Sequence, residues 1–110
     1  MSHQSLGEFE QLVLLAILRL QGEAYGVPIV DEIERRTGRT VSRAAVYVTL
    51  RRLEQKGLLS SWMSEPTRER GGKARRCVRV EPEAVRLLRE SRRALEGMWE
   101  GLDPVGGDTR

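Results

Sequence analysis

The fold is most clearly indicated by residues 42–58, which run SRAAVYVTLRRLEQKGL. Ser42 is a typical helix N-cap, because its short side chain can accept a hydrogen bond from a free backbone N–H at the helix start. Gly57 is a typical helix end. Three aliphatic residues between them recur at intervals of four and three, the spacing of one helix face: Val46, Leu50 and Leu53. The sequence therefore predicts a helix over residues 43–56 with one face in a hydrophobic core.

Two further helices are predicted before this one. Residues 8–20 are apolar on more than one side, so this helix should either lie deep in a core or also meet a partner chain. Residues 26–37 have a single apolar stripe, a proline in the first turn, and Gly38 directly after the last helical residue. Three short helices with a tight turn before the third are typical of a helix-turn-helix.

A β-hairpin is predicted after the third helix. Residues 58–64 and 74–80 have the composition of strands, and the polar stretch 66–72 between them contains two glycines and suits a turn. A hairpin in this position is the wing of a winged helix-turn-helix.

The last predicted helix covers residues 82–101, with Pro82 at its first position. Along this helix, intervals of four and three form a heptad-like seam of the kind that joins two helices: Ala84, Leu88, Ser91, Leu95, Met98 and Leu102. The sequence thus predicts a mainly α fold with a small β-hairpin. We expect a winged helix-turn-helix DNA-binding domain at 1–80, a C-terminal dimerisation helix at 81–102 and a flexible tail at 103–110.

Basic residues are concentrated in the middle of the chain. Of the nineteen Lys and Arg residues, thirteen lie between Arg35 and Arg79, together with only three acids, which gives this stretch a net charge of +10. The rest of the chain has six bases and thirteen acids. A basic centre of this kind favours binding to a polyanion such as nucleic acid, although an arginine-rich surface that only faces solvent would have the same composition.

Opposite its apolar stripe, the third helix carries residues suited to a DNA groove. Arg43 can donate to guanine O6 and N7 or to a phosphate, and the small Ala44 lets the start of the helix approach base edges. Tyr47 can donate its hydroxyl to a phosphate and place its ring on a sugar or a thymine methyl group, or it can pack against the second helix or the wing instead. The predicted DNA-contacting residues of this helix, the last two at the DNA backbone, are Ser42, Arg43, Ala44, Tyr47, Arg51 and Arg52.

The tip of the predicted hairpin supplies a second group of DNA-contacting residues: Arg68, Arg70, Gly71, Gly72 and Lys73. Glycine lets a backbone approach a phosphate or enter a minor groove, and nearby arginines are attracted by the negative potential of that groove. A loop that only contacts solvent is the alternative, and the neighbouring helix-turn-helix favours the wing.

Other functional classes fit this sequence less well. One histidine, His3, and one cysteine, Cys77, are too few for a Ser/His/Asp or Cys/His catalytic set or for a recognisable metal site. A single cysteine allows no intrachain disulfide, and the longest apolar run, residues 12–18, is far too short to cross a bilayer. We therefore expect a cytoplasmic protein that is not an enzyme, binds no membrane, and needs neither a cofactor nor a metal.

A winged helix that contacts proteins, or that binds nucleic acid without sequence preference, is the alternative to a sequence-specific regulator.

The chain resembles the PadR family of winged-helix transcriptional regulators over about residues 6–102, in the subgroup with a single short C-terminal helix. The most specific motif is Tyr-x-x-Leu-x-Arg-Leu-Glu-x-x-Gly-Leu at residues 47–58, and shorter pieces match at 6–10, 25–29 and 70–73. The order and spacing of these pieces together are more specific than any one of them. Two positions depart from the family: Cys77-Val78 stand where it often has two aromatic residues, and Glu81 stands where it often has threonine.

The resemblance implies a homodimeric repressor of transcription that binds double-stranded DNA. It implies that the last helix packs on the first helix of a partner and that Tyr47 lies at the DNA. The predicted dimerisation residues are Leu12, Leu15, Leu88, Leu95, Met98 and Leu102. Some relatives bind flat aromatic effectors beside a tryptophan of the last helix, which makes Trp99 a candidate ligand-binding residue, with ordinary dimer packing as the alternative. Trp62 is expected to pack in the core or on the hairpin.

Overall fold

The computed structural model describes residues 4–21, 25–65, 74 and 76–102. These residues form four helices and one antiparallel pair of strands, so the predicted class, mainly α with a small β-hairpin, is confirmed. In chain order the elements are α1 (Glu8–Arg19), α2 (Val27–Thr37), α3 (Arg43–Gln55), β1 (Leu59–Met63), β2 (Arg76–Val80) and α4 (Pro82–Trp99). None of the helices in the described ranges is long and apolar enough to cross a membrane.

The connection between α2 and α3 follows the capping signals of the sequence. Gly38 has a left-handed backbone with φ 74°, which a glycine adopts without steric cost, and its N–H donates to the Glu34 carbonyl at 2.9 Å. The Glu34 carboxylate then accepts from the Val41 N–H at 2.7 Å. Ser42 caps α3 as predicted, because its hydroxyl oxygen accepts from the Ala45 N–H at 3.1 Å. These bonds hold the short turn that sets α3 relative to α2.

The hairpin has two different faces. Trp62 lies opposite Cys77 and Ser61 lies opposite Val78, and directly opposed residues share a face of the sheet. Val78 is buried in the core, whereas Trp62 is 46% exposed on the other face. The Arg79 guanidinium lies 5.8 Å from the centre of the indole, so Trp62 packs on the hairpin and not in the core.

The hydrophobic core receives side chains from all six elements. The predicted stripe of α3 is confirmed, since its three residues are fully buried. The main contributors are Val13, Leu14 and Ile17 of α1, Ile29 and Ile33 of α2, Val46, Leu50 and Leu53 of α3, Leu58, Leu59 and Val78 at the hairpin, and Ala84, Leu87 and Leu88 of α4.

The position of α4 divides the predicted seam into two parts. Ala84 and Leu88 are 0% and 7% exposed within their own chain. The N-terminal half of α4 therefore belongs to the winged-helix core. Farther along, Leu95 and Met98 are more than half exposed. A heptad-like pattern marks an apolar face but does not say which surface covers it, and the chain's own core covers the first part of this face.

A partly buried ion pair, with the glutamate inside and the lysine at the surface, joins the start of α1 to the end of α3. The Glu10 side chain is 9% exposed, and its carboxylate accepts from Lys56 Nζ at 2.8 Å and from the Gly7 N–H at 2.9 Å. Burial opposes the negative charge, but these two hydrogen bonds and the positive charges of Lys56 and Arg52 outweigh it and hold the pKa of Glu10 below its ordinary range. The pair therefore ties two helices together through a charged group inside the protein.

Candidate nucleic-acid interface and apolar groove

The side of α3 that faces away from the core is the candidate nucleic-acid surface. Its centre is formed by exposed residues at intervals of four, three and four: Ala44, Val48, Arg51 and Gln55. A small residue at the helix start, a branched aliphatic residue and two long polar side chains form a face that fits the major groove, which admits an α-helix. Gln55 was not among the predicted contacts, although helical spacing places it on the same face.

The arginines of α3 differ in their surroundings from those of α2. Arg43, Arg51 and Arg52 are exposed, and none of them forms a salt bridge with another described residue. On α2, by contrast, Arg35 and Arg36 both pair with Glu32. Guanidinium groups that form no salt bridge can donate to phosphate oxygens or base edges without first breaking an ion pair.

Tyr47 does not point straight out from α3. Its side chain is half-buried, and its ring centre lies 5.7 Å from that of Tyr25 with the two planes at 45°. Its hydroxyl lies against Gly26, the residue that precedes α2. Tyr47 thus packs against the start of α2, which is the alternative that the sequence left open, and only part of the side chain remains on the α3 surface.

Tyr25 also contacts the hairpin. The guanidinium carbon of Arg76 lies 5.1 Å from the centre of the Tyr25 ring. A hydrogen bond to Tyr25 raises the pKa of Arg76 above its ordinary range, with a smaller contribution from the charge of Glu54. Arg76 Nη1 also lies 3.7 Å from the sulfur of Met63 across the hairpin. Neither Tyr25 nor Arg76 was among the predicted site residues.

The start of α4 and the hairpin are joined by side chains. Glu81 lies at the N-cap of α4 but makes no side-chain capping bond there. Its carboxylate instead accepts from the Ser60 hydroxyl at 2.6 Å and lies 3.7 Å from Arg79 Nε. The glutamate that departs from the family pattern therefore ties α4 to the hairpin.

The second predicted group of DNA-contacting residues lies outside the described residues. It comprises Arg68, Arg70, Gly71, Gly72 and Lys73. In the ranges that the structure describes, no cluster of three or more His, Cys, Asp or Glu side chains could hold a metal ion.

A groove of about 470 Å³ between α1 and α4 gathers exposed apolar side chains. Its apolar lining comes from Leu15, Leu18, Val85, Leu88, Leu95 and Trp99, and its polar border from Gln11, Arg89, Arg92 and Glu96. Leu15, Leu95 and Trp99 are 45%, 56% and 53% exposed. The groove therefore brings together predicted dimerisation residues of both helices and the predicted ligand-binding residue.

The remaining predicted dimerisation residues lie elsewhere. Leu12 is half-buried and lines a smaller groove of about 170 Å³ between α1 and α2, which Leu15 also borders. Met98 is 76% exposed on the last turn of α4, and Leu102 is 51% exposed just beyond it. An apolar surface thus extends along the C-terminal half of α4.

Comparison with known proteins relates the chain to one group of regulators. A family model described as the PadR-like family of transcriptional regulators matches residues 14–83. The transcriptional regulator Rv3488 of Mycobacterium tuberculosis is 42% identical over 87 residues, which cover 79% of this chain and 75% of that protein.

Solved structures show a similar fold. A PadR-like transcriptional regulator of Bacillus cereus superimposes with a TM-score of 0.69 at 19% identity, over 93% of each chain. BpsR of Bordetella bronchiseptica, whose DNA binding is regulated by 6-hydroxynicotinic acid, superimposes with a TM-score of 0.59 at 22% identity, over 96% of this chain and 74% of that one.

Proposed function

The chain belongs to the PadR-like family of transcriptional regulators, and from this we propose that it is a cytoplasmic, homodimeric repressor that binds a near-palindromic DNA operator. The observation that carries the proposal is the exposed face of α3. Its arginines form no salt bridge with another described residue, and they flank small and aliphatic side chains on a helix that the core holds firmly.

Each residue of this face has a distinct role in the proposal. Arg43 lies in the first turn of α3 and donates to a guanine or a phosphate, while Ala44 keeps the approach to the bases open. Val48 lies at the centre of the face and suits contact with a thymine methyl group. Arg51 and Arg52 lie one turn later and bind the DNA backbone. The half-buried Tyr47 contributes at the edge of this surface.

The groove between α1 and α4 supports a homodimer. Several large apolar side chains remain about half exposed on these two helices, whereas soluble monomers rarely expose a continuous apolar patch of this kind. The C-terminal half of α4 from a second copy would cover Leu15, Leu18 and Leu95 with side chains of the same character. A two-fold arrangement buries the same patch on both copies at once.

A two-fold dimer determines the form of the operator. Two copies of α3 would enter successive major grooves about 34–36 Å apart, so the two half-sites would be inverted repeats. We infer the repressor role from the family resemblance. The bound dimer would repress transcription by blocking access to a promoter.

We also propose that Trp99 is an effector-binding residue, because the groove combines an indole with apolar walls and two nearby arginines. Arg89, which forms no salt bridge with a described residue, suits a planar aromatic acid that stacks on Trp99, whereas Arg92 pairs with Glu96 at 3.0 Å. Titration with 6-hydroxynicotinic acid, the regulator of the BpsR protein, tests this class of ligand. In a Trp62→Phe variant, Trp99 is the only tryptophan, so its fluorescence reports binding in the groove. Tryptophan emission that does not change on titration would count against this ligand class.

Selection of bound sequences from a pool of random duplexes tests the proposed function. The expected result is a recurrent inverted repeat, with affinity for it far above that for random duplex at several salt concentrations. Equal binding to both duplexes, or a single asymmetric half-site bound by a monomer, would contradict the proposal. The first outcome would favour the alternative of non-specific binding.

A further inference from the structure

We propose that the contact between Tyr25 and Arg76 fixes the orientation of the hairpin relative to α3, and that Tyr25, Gly26 and Arg76 are positioning residues for DNA binding. This inference rests on the proposed function, because the orientation matters only if both elements contact the same duplex.

Tyr25 contacts both elements that a winged helix presents to DNA. One neighbour of its ring is Tyr47 on α3, at 5.7 Å between ring centres. The other is the guanidinium of Arg76 on β2, at 5.1 Å from the ring centre. A cation over an aromatic ring is attracted by the ring's quadrupole. The single side chain of Tyr25 therefore connects the hairpin to the recognition helix.

Arg76 is held on several sides although it is exposed. Besides Tyr25, its guanidinium contacts the Met63 sulfur on the neighbouring strand, and the charge of Glu54 on α3 attracts it. The Glu54 carboxylate also accepts from the hydroxyl of Ser61 on β1. These contacts form a polar link between the two strands and α3 at the surface, beyond the apolar core.

Arg79 provides a natural comparison on the same strand. It lies three residues from Arg76 and therefore on the opposite face of the hairpin, where it packs on Trp62 and lies near Glu81. Arg79 has the same charge and a similar aromatic contact but none of the described contacts of Arg79 reaches α3 or Tyr25.

Gly26 leaves space for the Tyr47 side chain. A Cβ at this position would lie 2.3 Å from the Tyr47 hydroxyl oxygen and 2.8 Å from the carbon that bears it. Tyr47 can thus pack close to the backbone that leads directly from Tyr25 into α2. Tyr25, Gly26 and Tyr47 together place the recognition helix against the same segment that contacts the hairpin.

Loss of the contact is expected to reduce discrimination between sequences. When α3 and the hairpin bind the same duplex, their fixed relative orientation raises the affinity, because the second element then loses less conformational entropy on binding. Binding to random duplex comes mainly from electrostatic attraction to the phosphates and depends little on that orientation. We expect operator affinity to fall about three- to tenfold, while random-duplex affinity changes less than about twofold.

A double-mutant cycle on DNA affinity tests the inference, with the duplex recovered by selection as the operator. The proteins are the full chain, Tyr25→Leu, Arg76→Gln and the double variant. The expected result is a roughly three- to tenfold loss of operator affinity in each single variant and no further loss in the double variant. A coupling of this size is typical of residues in contact. Arg79→Gln is the matched control, and its effect should simply add to that of Tyr25→Leu.

Two further readouts separate positioning from other roles. Arg76→Gln should leave the salt dependence of operator binding unchanged, whereas a direct phosphate contact would lower the slope by about one. Tyr25→Phe keeps the ring and should retain most of the operator affinity. If Tyr25→Leu does not fold, the cycle is repeated with Tyr25→Met, which keeps much of the side-chain volume without the ring, and thermal melting checks that the fold is intact.

The outcomes are distinct. Additive losses in the cycle, or a salt slope reduced by Arg76→Gln, would overturn the positioning role while the proposed function stands. If the unmodified chain selects no duplex sequence at all, both proposals fail.

Discussion

The hydroxyl oxygen of Tyr47 lies so close to Gly26 that a Cβ there would approach it to 2.3 Å. Gly26 also has φ 82°, a conformation that side chains with a Cβ rarely adopt. Two independent constraints thus require glycine at the start of α2, and one of them comes from Tyr47 on α3.

Gly26→Ala should therefore destabilise the protein more than a substitution at another positive-φ glycine. We expect a loss of about 3 kcal/mol from backbone strain and from displacement of the Tyr47 ring. Gly38→Ala is the control, because φ is 74° there but nothing lies within 4 Å of the added Cβ, and it should lose only about 1 kcal/mol. Urea denaturation gives both values, and equal losses would mean that the Tyr47 contact is unimportant for stability.

Arg43→Ala should weaken binding to the selected operator without changing the fold. A base contact of this kind is worth about 1–3 kcal/mol, which corresponds to roughly a 5- to 150-fold loss of affinity. Arg86→Ala on α4 serves as the control, because it also removes an exposed arginine but one that is paired with Glu83 and Glu90. Equal operator affinities of the two variants in a fluorescence anisotropy titration would contradict the role of Arg43.

Leu95→Glu should convert the proposed dimer to a monomer, because it places a charge in the apolar groove that the second copy is proposed to fill. Arg93→Glu introduces the same residue on the opposite side of α4 and should remain dimeric. Light scattering with size-exclusion chromatography measures both masses. A Leu95→Glu variant that stayed dimeric would show that the two copies meet elsewhere.

The stability of the protein should fall in acid, partly through Glu10. Since the pKa of Glu10 is lowered in the folded state, its contribution is complete above the ordinary value of 4.5 and is lost as the pH falls through the lower folded value. Glu10→Gln should lose about 1–3 kcal/mol at neutral pH, because it leaves Lys56 without its buried partner.

Below pH 4.5 the difference between Glu10→Gln and the unmodified protein should narrow. Glu8→Gln is the control, because Glu8 pairs with Arg39 in full contact with solvent and should matter less. Denaturation curves from pH 7 to pH 3 test both statements. A constant difference across that range would show that the charge of Glu10 does not stabilise the fold.

Local signals in the sequence were sufficient for most of the fold. The apolar stripe of α3, the cap at Ser42 and the stop at Gly38 each depend on residues within one or two turns, and each prediction is confirmed. The position of Tyr47 could not be obtained in this way. It depends on Tyr25 and Gly26, which are more than twenty residues away in sequence and adjacent only after folding.

The candidate site illustrates a second limit. The pattern that ran from Ala84 to Leu102 correctly marked one apolar face of α4, but periodicity cannot distinguish a face covered by the same chain from one covered by another. Burial separates the two halves, since Leu88 is almost fully enclosed while Leu95 is 56% exposed. The contacts of Arg76 with Tyr25 and Met63 could not be predicted, because they depend on the register of the hairpin.

The Glu10–Lys56 pair closes a loop of 46 residues between the first turn of α1 and the end of α3. Neither helix can leave the core without breaking this ion pair, so α1 and α3 should open as one cooperative unit in the native state. The slowest-exchanging amide protons of both helices should therefore report the same free energy of opening. Amides in the last turns of α4, where the side chains are largely exposed, should exchange much faster in dilute monomer.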